Sequence, residues 1–182
     1  MVFTIATPPT QAFVNLESDT PVFFCAVSAP VAAGVLSDMD SPDKNATGTS
    51  NAIPVSDIID LAQNTTPAKK YGLIYSGNED NATNTIKQVE EYLKSKNIEY
   101  VEKTAPTSSD IETAANALIN EGVDAIFVPN DSIIQDGVTK LAEICNEKKI
   151  PTYCSSATTV ASGCFATLAI DDKGIGKKTV DM

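Results

Sequence analysis

The sequence predicts an α/β fold built on parallel strands. Three observations predict it. Apolar runs of strand length, such as Tyr71–Tyr75 (YGLIY) and Asp124–Val128 (DAIFV), alternate with helix-period segments along nearly the whole chain. No hairpin turn joins one run to the next in the second half, so consecutive strands need crossovers and lie parallel. The run Pro21–Val27 (PVFFCAV) is apolar throughout, as expected of a strand covered on both faces by helices.

In chain order, Val2–Ala6 reads as a strand, and Thr7-Pro8-Pro9 opens a helix through about Glu17. The strand Pro21–Val27 is followed by a turn-rich region in which Asp38–Asn45 (DMDSPDKN) is loop. Asn45–Asn51 (NATGTSN) reads as a short edge strand, Pro54 starts a helix through about Gln63, and Thr65-Thr66-Pro67 breaks the chain. After the strand Tyr71–Tyr75, Asn81–Lys96 places Ile86, Val89 and Leu93 at helical spacing, with Glu90 and Lys94 paired on another face. Ile98–Glu102 is a strand, and Ser108–Glu121 is a helix with Ser/Asp capping chemistry that ends at Gly122. The strand Asp124–Val128, a helix Ser132–Lys148 and a strand Ile150–Cys154 come next. A short helix near Thr158–Ala161, a strand Phe165–Ile170 and a helix beginning near Lys173 complete the pattern.

Five strand–helix alternations follow Pro67, enough for a sheet; before it there are two longer strands and one short edge strand, too few for a stable sheet of their own. Residues 68–171 therefore read as one complete lobe, 1–67 as the later part of another, and 172–182 as the start of a helix leaving the complete lobe. The opening inside a strand and the closing KKTVDM, helical and uncapped, give the chain the look of a fragment. The exposed sheet edge at its start is open to pairing with a second copy.

Composition excludes much chemistry. The net charge is −11 and all 13 cations are lysines, so there is no Arg, and there is also no His and no Trp. Ser-His-Asp and Cys-His catalysis and histidine metal ligation are ruled out, and no metal site or cofactor is expected. A polyanion would be repelled and no guanidinium fork could read it, so nucleic acid is not an expected partner. No apolar run approaches the roughly 20 residues of a membrane span, and no signal peptide pattern follows Met1. Cys25, Cys145, Cys154 and Cys164 lack any CxxC spacing and read as small buried hydrophobes. Gly174-Ile175-Gly176-Lys177-Lys178-Thr179 imitates a phosphate loop without its spacing, and no strand is followed by GxGxxG. Asn-x-Ser/Thr triplets at Asn45, Asn64, Asn81 and Asn130 are only a mild excess over chance.

The informative residues are those at strand carboxyl ends, where open α/β sheets bind ligands. They are Thr7, Ser28, Ser76-Gly77-Asn78, Asn130-Asp131-Ser132, Ser155-Ser156 and Asp171. Nearly all are small hydrogen-bonding groups, several beside helix N-termini that attract carboxylates. Each alone is also an ordinary cap or turn residue. Together they supply polar selectivity without a nucleophile–base pair, so a binding cleft is expected and an enzyme is not.

These residues resemble a known family. TIATPPTQAF, PVFFCAVSAPVAAGV, NATGTS, YGLIYSGNEDN, VDAIFVPND and IPTYCSSATTVASGCFATLAIDDKGIGKKT follow the order and spacing of the substrate-binding proteins of ABC transporters, in the tryptophan/tyrosine-type branch. The resemblance covers essentially the whole chain. It implies a type I periplasmic-binding-protein-like fold with doubly wound parallel sheets in two lobes, here with one lobe incomplete. An amino-acid-like ligand, of which the aromatic amino acids are one class, would be trapped between the lobes by hinge closure. It also implies an extracytoplasmic protein, periplasmic or lipid-anchored on the outer face of the membrane, that serves a permease and an ATPase. Carried over residue by residue, the ligand-binding set is Thr7, Ser28, Ser76, Asn78, Asn130, Asp131, Ser156 and Asp171. Where the family commonly has an acidic pair after the strand ending at Cys154, this chain has Ser156 and Ala157. With half of one wall absent, the expectation is that the chain alone binds its ligand weakly or not at all. The rival readings are a ligand-sensing domain of a receptor or repressor, and a small enzyme using the same cleft.

Overall fold

A computed structural model describes residues 1–16, 18–41 and 44–182. Its elements are β1 (Val2–Ile5), α1 (Thr7–Val14), β2 (Val22–Cys25), β3 (Ala46–Gly48), α2 (Val55–Thr65), β4 (Lys70–Tyr75), α3 (Asp80–Ser95) and β5 (Glu99–Thr104). A 3-10 turn (Ser108–Asp110) leads to α4 (Ile111–Asn120), β6 (Ala125–Val128), α5 (Ser132–Asp136), α6 (Val138–Glu147), β7 (Thr152–Cys154), α7 (Ala157–Ala161), β8 (Ala166–Thr167) and α8 (Asp172–Asp181). The expected helix end at Glu17 and the Pro42-Asp43 part of the expected loop lie outside the described residues.

Contacts divide the chain into two compact units: residues 1–52, 79–84 and 170–182 form the first, and 53–78 with 85–169 the second. The stretch 53–67, grouped by the sequence with the first lobe, clusters with the second unit. The reason is its buried face: Ile58, Ile59 and Ala62 of α2 join one core with Tyr71 and Leu73 of β4 and Val89 and Leu93 of α3.

The second unit is a five-stranded, all-parallel sheet in the order β5-β4-β6-β7-β8. Alternate residues of its central strands feed two cores. Ile74, Ile126, Val128 and Cys154 pack with α4, α5 and α6 on one face, while Leu73, Phe127 and Tyr153 pack with α2 and α3 on the other. Burial on both faces is why these strands read as continuous apolar runs. The chain winds outward from β4 to β5, then reverses to β6, β7 and β8, so a topological switch point falls between β4 and β6.

The first unit is a parallel sheet in the order β1-β2-β3. Val22, Phe24 and Ala46 form its core with Val14 of α1 and the Val27–Leu36 stretch. The helix α8 packs on β2, and the hydroxyls of Thr49 and Thr179, both buried, are hydrogen-bonded at 2.6 Å.

Three expectations need correction. The helix expected over Ser132–Lys148 is two helices that meet at Gly137. A Cβ there would come 2.4 Å from Cδ1 of Ile111, so glycine admits the close packing of Ile111 at the break. The strand expected over Phe165–Ile170 shrinks to Ala166–Thr167 at the sheet edge. The strand expected over Pro21–Val27 is buried on one face only: Val22 and Phe24 are buried, Phe23 and Cys25 half-buried. Cys145, Cys154 and Cys164 are buried and Cys25 is half-buried; all four are free thiols.

Tyr71 is fully buried, and its hydroxyl accepts a hydrogen bond from Nε2 of Gln63 at 3.2 Å. Burial pushes its phenol up from about 10 to about 12. A raised folded value favours the neutral form, so this contribution to stability is complete below pH 10 and lost as pH rises from about 10 through 12. Absorbance titration should accordingly find one tyrosine ionising near pH 12 in the folded protein. Release of all five tyrosines near pH 10, with the fold intact, would contradict that assignment.

Candidate ligand-binding site

The polar groups selected from the sequence fall at strand carboxyl ends in both units. In the second unit the switch point brings four of them together. The backbone turns after β4 at Ser76-Gly77-Asn78, where Gly77 takes φ 79°, a left-handed conformation that favours glycine. Ser76 is buried, and its Oγ accepts the Asn78 backbone N–H at 3.1 Å, which closes the turn. The Asn78 side chain is exposed and donates from Nδ2 to the Pro106 carbonyl at 3.1 Å.

Across the switch point, Asp131 is fully buried. Its Oδ1 accepts the backbone N–H groups of Ile133 at 3.1 Å and Ile134 at 3.2 Å, capping α5. Its Oδ2 accepts the Ser76 backbone N–H at 2.8 Å, tying the end of β6 to the end of β4. Both oxygens are thus committed to backbone donors. That arrangement fits a residue that positions the Ser76–Asn78 turn better than one that grips a solute. Asn130, half-buried, accepts through Oδ1 from Nε2 of Gln135.

Beside β6, the Ser155 backbone N–H donates to the Val128 carbonyl at 3.1 Å. Ser156 precedes α7, half-buried, with its hydroxyl 2.7 Å from that of Thr158 and its carbonyl accepting from Oγ1 of Thr159 at 2.6 Å.

The first unit carries Thr7, Ser28 and Asp171. Thr7 opens α1 and is buried. The amide donors expected at that helix end are depleted, because Pro8 and Pro9 in the first turn have no N–H. Ser28 donates from Oγ to Oδ1 of Asn51 at 2.8 Å, joining the ends of β2 and β3. Asp171 stands exposed before α8 and makes no side-chain capping bond. The sequence reading omitted Asn51. It follows Thr49 and Ser50 directly after β3, so the strand-end rule that found Ser28 would have found it had that strand been trusted.

A cavity of about 650 Å³ in the first unit is lined by Val14, Asn15, Ser18, Lys44 and Asn45. It lies by the amino ends of β2 and β3, the opposite end from the polar set. Open α/β sheets bind at carboxyl ends, so the polar set is the stronger candidate. Among the described residues no group of three or more Cys, Asp or Glu side chains is placed to hold a metal ion. No helix among them is long and apolar enough to cross a membrane.

The family model for ABC transporter substrate binding proteins matches residues 1–182. The chain belongs to that family. It is similar to a tyrosine-binding protein of Clostridioides difficile (strain R20291), 33% identical over 183 residues that cover all of this chain and 53% of that one. Among solved structures it resembles a conserved domain protein from Vibrio cholerae, with a TM-score of 0.92, 31% identity and coverage of 98% of this chain and 60% of that one. It also resembles an ABC domain in complex with L-Trp from Streptococcus pneumoniae, with a TM-score of 0.91, 28% identity and coverage of 100% and 63%. The chain spans about half the length of the curated relative it matches. As a substrate-binding family member with a parallel α/β architecture, it has the periplasmic-binding-protein-like fold expected from the sequence.

Proposed function

We propose that this chain is the solute-recognition part of an extracytoplasmic substrate-binding component of an ABC uptake transporter, working by capture and release without turnover. Its solute is a small amino acid of the aromatic class, handed to a membrane permease driven by an ATPase. The observation that carries the reading is the polar set at the β4–β6 switch point, which supplies donors and acceptors but no nucleophile–base pair. Family membership and the relatives named for tyrosine and found with L-Trp support the solute class. In this reading Ser28, Ser76, Asn78, Asn130 and Ser156 orient the solute through neutral hydrogen bonds. Asp171 takes its ammonium, since Ser156 and Ala157 offer no carboxylate. Thr7 bounds the site, and Asp131 holds the turn that carries Ser76.

Calorimetry decides the matter. The product of the whole gene and the 182-residue chain are each titrated with L-tyrosine, L-tryptophan and L-lysine. Saturable binding of an aromatic amino acid by the whole product, with the solute recovered unchanged, supports the proposal. Binding of none of the three by the whole product, or chemical conversion of the solute, overturns it.

A further inference from the structure

Among the described residues six non-glycine residues take a positive φ, and four of them have an ordinary local reason. Asn97 and Lys149 follow α3 and α6, where the next N–H groups, of Ile98 and Ile150, reach back to the carbonyls of Leu93 and Cys145 at 2.9 Å, a common left-handed helix stop. Lys44 and Asn45 turn the chain into β3. The other two are alanines at strand carboxyl ends of the first unit, Ala6 with φ 69° and Ala26 with φ 58°. With ψ at 171°, Ala6 occupies a region open in practice only to glycine.

Both conformations are held firmly. The Ala6 N–H donates to the Cys25 carbonyl at 3.0 Å, and its own carbonyl accepts the Thr10 hydroxyl at 2.7 Å. That commits the one hydroxyl proton of Thr10, so in the buried 2.8 Å contact between their hydroxyls Thr4 is the donor. In the β2–β3 ladder Val22 donates to Asn45 and Thr49 donates to Phe24, so the next rung in register is the Ala26 N–H to the Thr49 carbonyl. Val27 makes that bond instead, at 3.2 Å, so Ala26 is an inserted residue, a bulge. The register that pairs Ile5 with Cys25 sets Ala6 beside Ala26 one step on. Both alanines are half-buried, and Thr7 and Ser28 follow them directly and after one residue. Glycine would relieve either position. Two methyl groups are thus kept against strain side by side, where the polar set of the first unit stands, and strain of this kind collects at ligand sites.

We propose that Ala6 and Ala26 are specificity-determining residues of the solute site, their methyl groups forming an apolar floor against which the side chain of the solute packs. The assignment rests on the reading that this protein captures an aromatic amino acid. It divides the labour at the strand ends of the first unit: Thr7 and Ser28 offer hydroxyls to the polar part of the solute, and the two alanines between them meet its ring. A methyl is the smallest group that gives a ring an apolar contact, and a larger side chain at these backbone angles would cost more strain. Glycine, the unstrained choice, would leave backbone alone beneath the ring.

Calorimetry and thermal melting test the proposal. The product of the whole gene and its Ala6→Gly and Ala26→Gly variants are titrated with L-tyrosine and L-tryptophan, and melted without solute. Each variant should hold or raise Tm, because glycine takes these backbone angles without strain. Each should bind L-tyrosine about 4-fold more weakly, the equivalent of one buried methyl contact. L-tryptophan should lose less, because removing a methyl deepens the floor and its larger ring fills the space. Asn97→Gly and Lys149→Gly, which relax a similar φ away from the strand carboxyl ends, should leave both affinities unchanged. A parent that binds, with alanine-to-glycine variants of undiminished affinity, overturns the assignment and leaves the proposed function standing. Affinity lost alike in all four glycine variants also overturns it. A parent that binds neither solute overturns the proposed function and this assignment with it.

Discussion

Replacing Asp131 with alanine is expected to destabilise the second unit by about 4 kcal/mol, the largest effect foreseen for any single polar side chain here. Two losses add. The cap of α5 disappears, stranding the Ile133 and Ile134 N–H groups, at about 1–2 kcal/mol. The Ser76 N–H, inside a buried contact, loses a charged acceptor 2.8 Å away, at about 1.5–3 kcal/mol. Asp131→Asn keeps an oxygen for the cap but can turn its amide nitrogen toward the Ser76 N–H, so about half the loss should remain. Urea denaturation with an unchanged slope measures both variants. A loss below about 1 kcal/mol for Asp131→Ala would mean that the tie between the strand ends is not energetically significant. The same substitution should weaken solute binding through the displaced turn, and the Asn variant should rescue part of both effects.

Asp131 also marks the limit of what could be read from the residues alone. Its position at a strand carboxyl end is legible, because the strand, the Pro-Asn-Asp turn and the following helix all have strong local signatures. The destination of its carboxylate is not, because Oδ2 bonds a backbone N–H 55 residues away in sequence. That partner is fixed by strand order, and whether β4 neighbours β6 or β5 alone depends on how helices of similar amphipathicity distribute over two faces. The five-strand sheet itself was legible, since doubly buried strands announce themselves as apolar runs. Short edge elements were not. Among the described residues only Ala166 and Thr167 pair in β8, which lies at the edge of the sheet beside β7. The break at Gly137 in the helix expected over Ser132–Lys148 is hidden from the sequence for a related reason. A glycine inside a helical pattern costs only about 1 kcal/mol and is commonly tolerated; here the Ile111 side chain packs where its Cβ would stand.

Asp171→Asn in the product of the whole gene is expected to weaken solute binding by about 30-fold, about 2 kcal/mol, while changing the stability of the unliganded protein by less than about 0.5 kcal/mol. The two halves of that expectation have separate grounds. Stability should hold because the Asp171 side chain is exposed and contributes no capping bond to α8. Affinity should fall because, in the proposed role, its carboxylate is the charged partner of the solute ammonium, and the amide of asparagine cannot replace that charge. The opposite pattern, unchanged affinity with about 1 kcal/mol of lost stability, would make Asp171 a helix cap in solution and sink its binding role. A second substitution sharpens the choice. A Cβ on Gly174 would stand 2.6 Å from Oδ2 of Asp171, so Gly174→Ala must push the carboxylate from its place over the first turn of α8. Alanine is the better helix former by about 0.5–1 kcal/mol, so this variant should be more stable. If Asp171 holds the solute where it now stands, Gly174→Ala will gain stability and lose affinity together, a combination that damage to the fold cannot produce.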